Sequence, residues 1–165
     1  MYDNKFLFVR KAVEVENFAF VVSESVAGFT VNNSMVSVFA FVGITESGEA
    51  KYLNTMFYAG FVEEIPWKDI IPEILDFGNI SNLVMSDSGN AIKNILAELA
   101  PDVNFYSEIY NVPSDTPFKS EAQSVKNILY SDLRSFWRFK NVKTLAEADK
   151  EAEKFAELIT GKIAK

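Results

Sequence analysis

Short runs of β-branched and aromatic residues, separated by turn-forming residues, dominate the first third of the chain. Residues 17–22 have the composition of a strand, and residues 29–44 form a second run of the same kind. A hairpin-like break at residues 45–48 separates that run from a third one at residues 50–62. The simplest prediction is three consecutive antiparallel strands.

Helical spacing begins in the middle of the chain. The apolar positions of residues 65–77 recur as they do on one face of a helix, but two prolines interrupt them. Pro66 is compatible with a first helical turn, whereas Pro72 removes a backbone donor inside the segment. We therefore expect one short or broken helix.

A strand, a helix and another strand are predicted next. Residues 80–85 form an apolar run that ends directly before a helical pattern, and Pro101 ends that pattern. The predicted buried face of this helix comprises Ala91, Ile92, Ile95, Leu96 and Leu99. Residues 103–112 have the composition of a fifth strand.

The rest of the chain is predicted to be helical. Ser120 and Gln123 have the spacing of a capping box, and so do Thr144 and Glu147. The second box opens a final helix over about residues 144–163, with an apolar stripe on one side and charged residues on the other. We expect this helix to pack along the domain.

Composition indicates one globular domain, 1–165, with a core at about residues 15–135. The chain has 165 residues, of which 48% are apolar, and this length and composition suit one substantial core. The net charge of −7 disfavours nucleic-acid contact except through a local basic patch. Because no long uncharged apolar segment or cleavable leader is visible, we expect an intracellular, cytoplasmic protein without a membrane partner.

The chain contains neither cysteine nor histidine. Disulfides, thiolate or imidazole metal ligands, and imidazole bases are therefore excluded. Any catalysis must depend on carboxylates, Lys, Tyr, Ser or a hard cation that oxygen atoms bind.

The junction at residues 83–96 is the most informative stretch. Asp87 follows an apolar strand and precedes an amphipathic helix. A carboxylate at such a position either caps the helix, assisted by the macrodipole, or binds a metal ion. Ser86 and Ser88 could also cap the helix.

The order of predicted elements resembles that of the ribonuclease H-like superfamily over roughly residues 15–135. In that family a mixed five-stranded sheet carries acidic residues that hold divalent metal for phosphodiester cleavage. The segment Ser86-Asp87-Ser88 is similar to the family's Thr-Asp-Ser at the end of the fourth strand. The resemblance thus implies an α/β fold with a mixed five-stranded sheet, three N-terminal antiparallel strands and long C-terminal helices.

The same resemblance implies a catalytic and metal-binding set of Asp87, Glu64 and Glu24, with Mg²⁺ as cofactor. Glu64, or its neighbour Glu63, precedes the first helix, where the family has a glutamate. On the first strand Ser23 stands where the family has aspartate, and Glu24 follows it by one residue. Glu121 lies in the helix that carries the last acid. A two-metal site needs several converging carboxylates.

A second signal is the basic segment at residues 119–143, which holds six basic and two acidic residues, whereas the preceding 118 residues hold six basic and sixteen acidic ones. Aromatic residues alternate with the basic ones, a combination that suits phosphate contacts and base stacking. The candidate nucleic-acid contacts are Arg134, Arg138, Lys140 and Trp137. The alternative is a basic helix that docks on the protein's own acidic body, with Phe136 in the core.

The sequence thus leads to two hypotheses about function. The first is a nucleic-acid-directed protein of ribonuclease H-like fold, either a metal-dependent nuclease or a catalytically degenerate relative. The second is a non-catalytic acidic protein that binds another protein as an inhibitor or adaptor, of the kind that phages encode. High negative charge without a complete catalytic set is compatible with the second.

Overall fold

The computed structural model describes residues 6–10, 16–86 and 88–164 of the chain. The strands are β1 (Phe6–Arg10), β2 (Glu16–Val31), β3 (Ser34–Thr45), β4 (Ala50–Ala59), β5 (Gly78–Val84) and β6 (Asn104–Tyr106). The helices are α1 (Trp67–Leu75), α2 (Ala91–Leu99), α3 (Lys119–Trp137) and α4 (Leu145–Ile163). Short 3₁₀ turns lie at Val62–Glu64, Ser88–Asn90 and Ile109–Asn111.

The strands form a mixed sheet in the order β1-β4-β3-β2-β5-β6. Strands β2, β3 and β4 are antiparallel, as predicted, and β5 and β6 continue the sheet in parallel. These five strands confirm the predicted mixed α/β sheet with long C-terminal helices. Strand β1 was not predicted separately, and it extends the sheet along the outer edge of β4.

Helices cover both faces of the sheet, because the central strands carry apolar side chains on both sides. On one face Phe20, Val22 and Phe57 pack with residues of α3 and α4, such as Leu129 and Phe155. The opposite face packs against α1 and α2, with a core that includes Phe18, Val21, Phe41, Ile70, Ile74 and Ile92. The result is a sheet between two helical layers.

Among the described residues, one edge of β2 has no strand partner along about half of its length. The parallel pairing of β2 with β5 ends at Val22 and Val84, but β2 continues to Val31 with β3 as its partner on the other side. A register shift between Ala27 and Phe29 bends this extension. The second half of β2 thus extends past the end of β5, and the residues that follow α3 bond to it, since the Phe139 amide donates to the Gly28 carbonyl.

The element boundaries confirm some local predictions and correct others. Thr144 caps α4 as predicted, since its Oγ1 accepts a hydrogen bond of 3.1 Å from the Glu147 amide. The box predicted at Ser120 is wrong, because α3 begins at Lys119 after Phe118, whose backbone is left-handed. The strand predicted at residues 103–112 is limited to β6.

Pro72 lies inside α1, which remains one short helix, as expected. Within the described ranges, no helix combines the length and the apolar character that crossing a membrane requires.

Candidate functional site

An open cavity of about 690 Å³ lies where β5 ends and β2 continues. Ser25 on β2 and Ser86 after β5 line it, together with the end of α3 and the start of α1, which pack on opposite faces of the sheet. We call this cavity the strand-end groove. The end of β5 lies beside Val22 of β2, the last residue of the first predicted strand, and this is the region where the sequence places Glu24 and Asp87.

Arg134 and Arg138, two of the predicted nucleic-acid contacts, form one wall of the groove. The Arg134 guanidinium lies 3.9 Å from the centre of the Tyr130 ring, and its Nη1 donates a hydrogen bond of 2.9 Å to the Tyr130 carbonyl. Arg138 follows the last turn of α3, where positive charge is favoured by the helix dipole. Neither arginine forms an ion pair with a carboxylate among the described residues.

The opposite wall is mostly apolar. Trp67, at the start of α1, packs edge-to-face on Phe39 with ring centres 5.9 Å apart. Phe61 follows a tight turn at Gly60, which has a φ of +147°, and its side chain is 74% exposed. Glu63 also lines this wall. Sequence reasoning missed Phe61, although an aromatic residue directly after glycine at a strand end was a visible signal.

Glu24, a predicted metal ligand, is paired with a lysine of α3. Its Oε2 lies 3.0 Å from Nζ of Lys126, which also donates a hydrogen bond of 3.0 Å to the Ser23 carbonyl. Lys126 is only 8% exposed. The Glu24 carboxylate is therefore directed toward α3 and neutralised there, whereas its neighbour Ser25 lines the groove.

The other two predicted metal ligands have different outcomes. Glu64 lies exposed in the 3₁₀ turn Val62–Glu64. Burial, and then the negative charge of Glu64, raise the pKa of Tyr58. Asp87 lies outside the described residues, so both of its interpretations stay predictions; α2 itself begins after Asn90, whose backbone is left-handed.

The described residues do not fit a site for Mg²⁺. Within residues 6–10, 16–86 and 88–164, no three acidic side chains are grouped so that they could hold a metal ion. Glu24 already has the Lys126 ammonium as its counter-ion. A metal role for Asp87, Glu64 and Glu24 remains a prediction of the resemblance.

The predicted contact Trp137 needs correction. It is fully buried, and its ring packs against Phe29 at 6.0 Å and Phe57 at 5.3 Å between ring centres. It occupies the position that follows Leu129 and Leu133 at spacings of four, so the helix turns it into the core. A base could not stack on this side chain without unfolding the end of α3.

Lys140 is engaged within the protein. Its ammonium lies 2.8 Å from Oε1 of Glu151 and 3.7 Å from the centre of the Phe136 ring. Lys126 and Lys140 therefore agree with the alternative prediction, in which the basic segment docks on the protein's own acidic groups. Arg134 and Arg138 differ from both lysines, since they face the groove.

Comparison with known proteins assigns no family. Neither a family model nor a curated protein matches the sequence. A chain of the simian T-cell lymphotropic virus intasome in complex with PP2A regulatory subunit B56 gamma is similar in structure, with a TM-score of 0.42 and 12% identity. The alignment covers 87% of this chain and 50% of that chain, so this chain spans about half the length of its structural neighbour.

Proposed function

We propose that the protein binds nucleic acid in the strand-end groove. The observation that carries the proposal is the wall formed by Arg134 and Arg138, which lack carboxylate partners among the described residues. Lys126 and Lys140 of the same basic segment are neutralised by Glu24 and Glu151. Two guanidinium groups that lack a carboxylate partner among the described residues, beside aromatic side chains, suit contacts with phosphates and bases.

Membership of the ribonuclease H-like superfamily is part of this proposal. Support comes from the element order, in which three antiparallel strands precede two parallel strands separated by helices. Further support comes from the parallel pairing of β2 with β5, in which β5 ends opposite Val22, the last residue of the first predicted strand. The groove thus lies in the region where the resemblance leads us to expect the acidic residues of the family.

The proposed activity is binding, without a metal-dependent step. A cluster that binds two metal ions needs several free carboxylates, and the Glu24 carboxylate is paired with Lys126. The groove instead offers the two arginines, the hydroxyl groups of Ser25 and Ser86, and the carboxylate of Glu63. The arginines and the hydroxyl groups can bind phosphate oxygens, whereas the carboxylate can accept hydrogen bonds from base edges.

Charge reversal tests the proposal. Fluorescence anisotropy at low salt would compare wild type with the double variant Arg134→Glu and Arg138→Glu on labelled DNA and RNA. We expect the variant to lose binding to the labelled nucleic acid at low salt. On a plot of log affinity against log salt concentration, the wild type should have a slope steeper by about 2 than any residual binding of the variant, one for each phosphate contact. The matched control is Lys143→Glu with Lys150→Glu, which makes the same charge change at exposed residues outside the groove.

A second candidate function is binding to another protein as an adaptor or inhibitor. It is favoured by Met35, Phe61 and Phe139, which are large apolar residues exposed around the groove. Exposed aromatic residues beside arginine are also typical of protein interfaces. A stoichiometric protein partner whose binding requires Phe61, together with no retention of nucleic acid, would favour this function over the first.

A further inference from the structure

The two walls of the strand-end groove differ in chemistry, and from this we propose that the groove binds one single strand of nucleic acid. Its phosphates lie against Arg134 and Arg138, and its bases lie against Phe61 and Trp67. This inference rests on the proposed function and specifies the form of nucleic acid that is bound.

The arginine wall and the apolar wall match the two sides of a single strand. Guanidinium groups bind phosphate oxygens through paired N–H donors, whereas aromatic rings stack on base faces. Phe61 is 74% exposed, so its ring is accessible from the groove. Trp67 is partly exposed and is fixed in orientation by its edge-to-face contact with Phe39.

The apolar wall is bordered by negative charge. Glu63 and Glu64 are exposed in the 3₁₀ turn, and exposed Asp69 lies in the first turn of α1. A duplex carries phosphates along both strands and keeps its base faces stacked inside. Its second backbone would face these three carboxylates, and its bases could not stack on Phe61. A single strand avoids both penalties.

The track for a strand continues beyond the groove. A neighbouring cavity of about 570 Å³ shares Ala27, Met35 and Arg138 with it and is lined by Phe139. Phe139 is 91% exposed and has a φ of 64°, a left-handed conformation that phenylalanine rarely adopts. The Phe139 amide donates a hydrogen bond of 3.0 Å to the Gly28 carbonyl, which ties the aromatic residue to β2. A second base can therefore stack next to Arg138.

The test compares a short single-stranded oligonucleotide with the duplex of the same sequence, by anisotropy at low salt. We expect single-strand affinity to exceed duplex affinity by about ten-fold or more, and Phe61→Ala to weaken it by about five-fold or more. Tyr110→Ala is the matched control, because Tyr110 is equally exposed at 74% and lies outside the groove. The oligonucleotide should also quench tryptophan fluorescence, and this quenching should disappear in Trp67→Phe if the bases lie on the apolar wall.

Neutralising the acidic border adds an independent readout. The double variant Glu63→Gln and Glu64→Gln should increase duplex affinity more than single-strand affinity. Equal affinity for single strand and duplex, or equal effects of Phe61→Ala and Tyr110→Ala, would overturn the inference. The proposed function would still be supported in that case if the Arg134→Glu and Arg138→Glu variant loses binding. No retention of any nucleic acid by the wild type would overturn the proposed function itself.

Discussion

The ammonium of Lys126, within the basic segment, lies 3.0 Å from the carboxylate of Glu24 and joins α3 to β2. The carboxylate of Glu24, a predicted metal ligand, therefore stabilises the contact between α3 and β2. The same helix ends at the groove with Arg134 and Arg138. The middle of α3 therefore neutralises Glu24 of β2, whereas its C-terminal end presents Arg134 and Arg138 to the groove.

Removal of Lys126 should destabilise the fold. Lys126→Met leaves the Glu24 carboxylate without its counter-ion, and loss of one partner of a largely buried pair costs about 3 kcal/mol. The double variant with Glu24→Gln should recover part of that loss, because no unpaired charge remains. Urea unfolding at neutral pH measures all four members of the cycle. Additive effects of the two substitutions would contradict a direct interaction.

Phe139 should contribute to binding at a cost in stability. Its left-handed backbone is strained for phenylalanine, so Phe139→Gly should raise the free energy of unfolding by up to about 1 kcal/mol. The same change should weaken oligonucleotide binding, since it removes an exposed ring. Phe139→Ala is the control, because it removes the ring and keeps the strain. If Phe139→Gly lowers both stability and affinity, the side chain has a structural role instead.

Asp149 should make stability fall as pH rises. Burial, and then the charge of Glu153, raise the pKa of Asp149 in the folded state. The folded protein therefore retains the proton to higher pH than the unfolded chain, and stability declines above about pH 4, the ordinary range of aspartate. Asp149→Asn should melt at a higher temperature than wild type at neutral pH and equally at about pH 3.

Glu151, on the same helix as Asp149, should have the opposite effect on how stability depends on pH. Hydrogen bonds from Lys140 and Lys154 lower the pKa of Glu151. Its contribution to stability is present at neutral pH and is lost as pH falls through the lowered pKa. Glu151→Gln should therefore melt below wild type at neutral pH, with a difference that shrinks in acid. The same sign for both variants would contradict these assignments.

Divalent cations should not induce cleavage. Because Lys126 holds Glu24, we expect RNA, DNA and hybrid duplex to remain intact with the protein in Mg²⁺ or Mn²⁺. Gel analysis of end-labelled substrates measures this. Cleavage that depends on the cation and disappears in Asp87→Asn would contradict the binding-only proposal and support the metal role predicted for Asp87.

The fold was more predictable than the site because strands and helices leave periodic patterns, whereas the groove depends on contacts between distant segments. The three antiparallel strands, the order of α1, β5 and α2, and the cap at Thr144 all follow from local sequence. Pairing of Glu24 with Lys126 joins residues about a hundred positions apart, and no local pattern indicates it.

The sequence did not settle which aromatic residue near the end of α3 faces the core, and for this reason Trp137 was predicted as a nucleic-acid contact. After Leu133, a spacing of three places Phe136 on the buried stripe, and a spacing of four places Trp137 there. The structure buries Trp137 fully and Phe136 partly. Phe61 was missed for another reason: the third strand was predicted to run to residue 62, whereas β4 ends at Ala59 and leaves Phe61 exposed.

The most direct test of the central claim is a titration of ¹⁵N-labelled protein with a short single-stranded oligonucleotide, followed by amide chemical shifts. Binding in the strand-end groove should shift the amides of Ser25, Phe61, Ser86, Arg134 and Arg138, and the Arg134→Glu and Arg138→Glu variant should show no such shifts. Shifts confined to the outer surface of α4 around Lys150, or no shifts at all, would contradict the account.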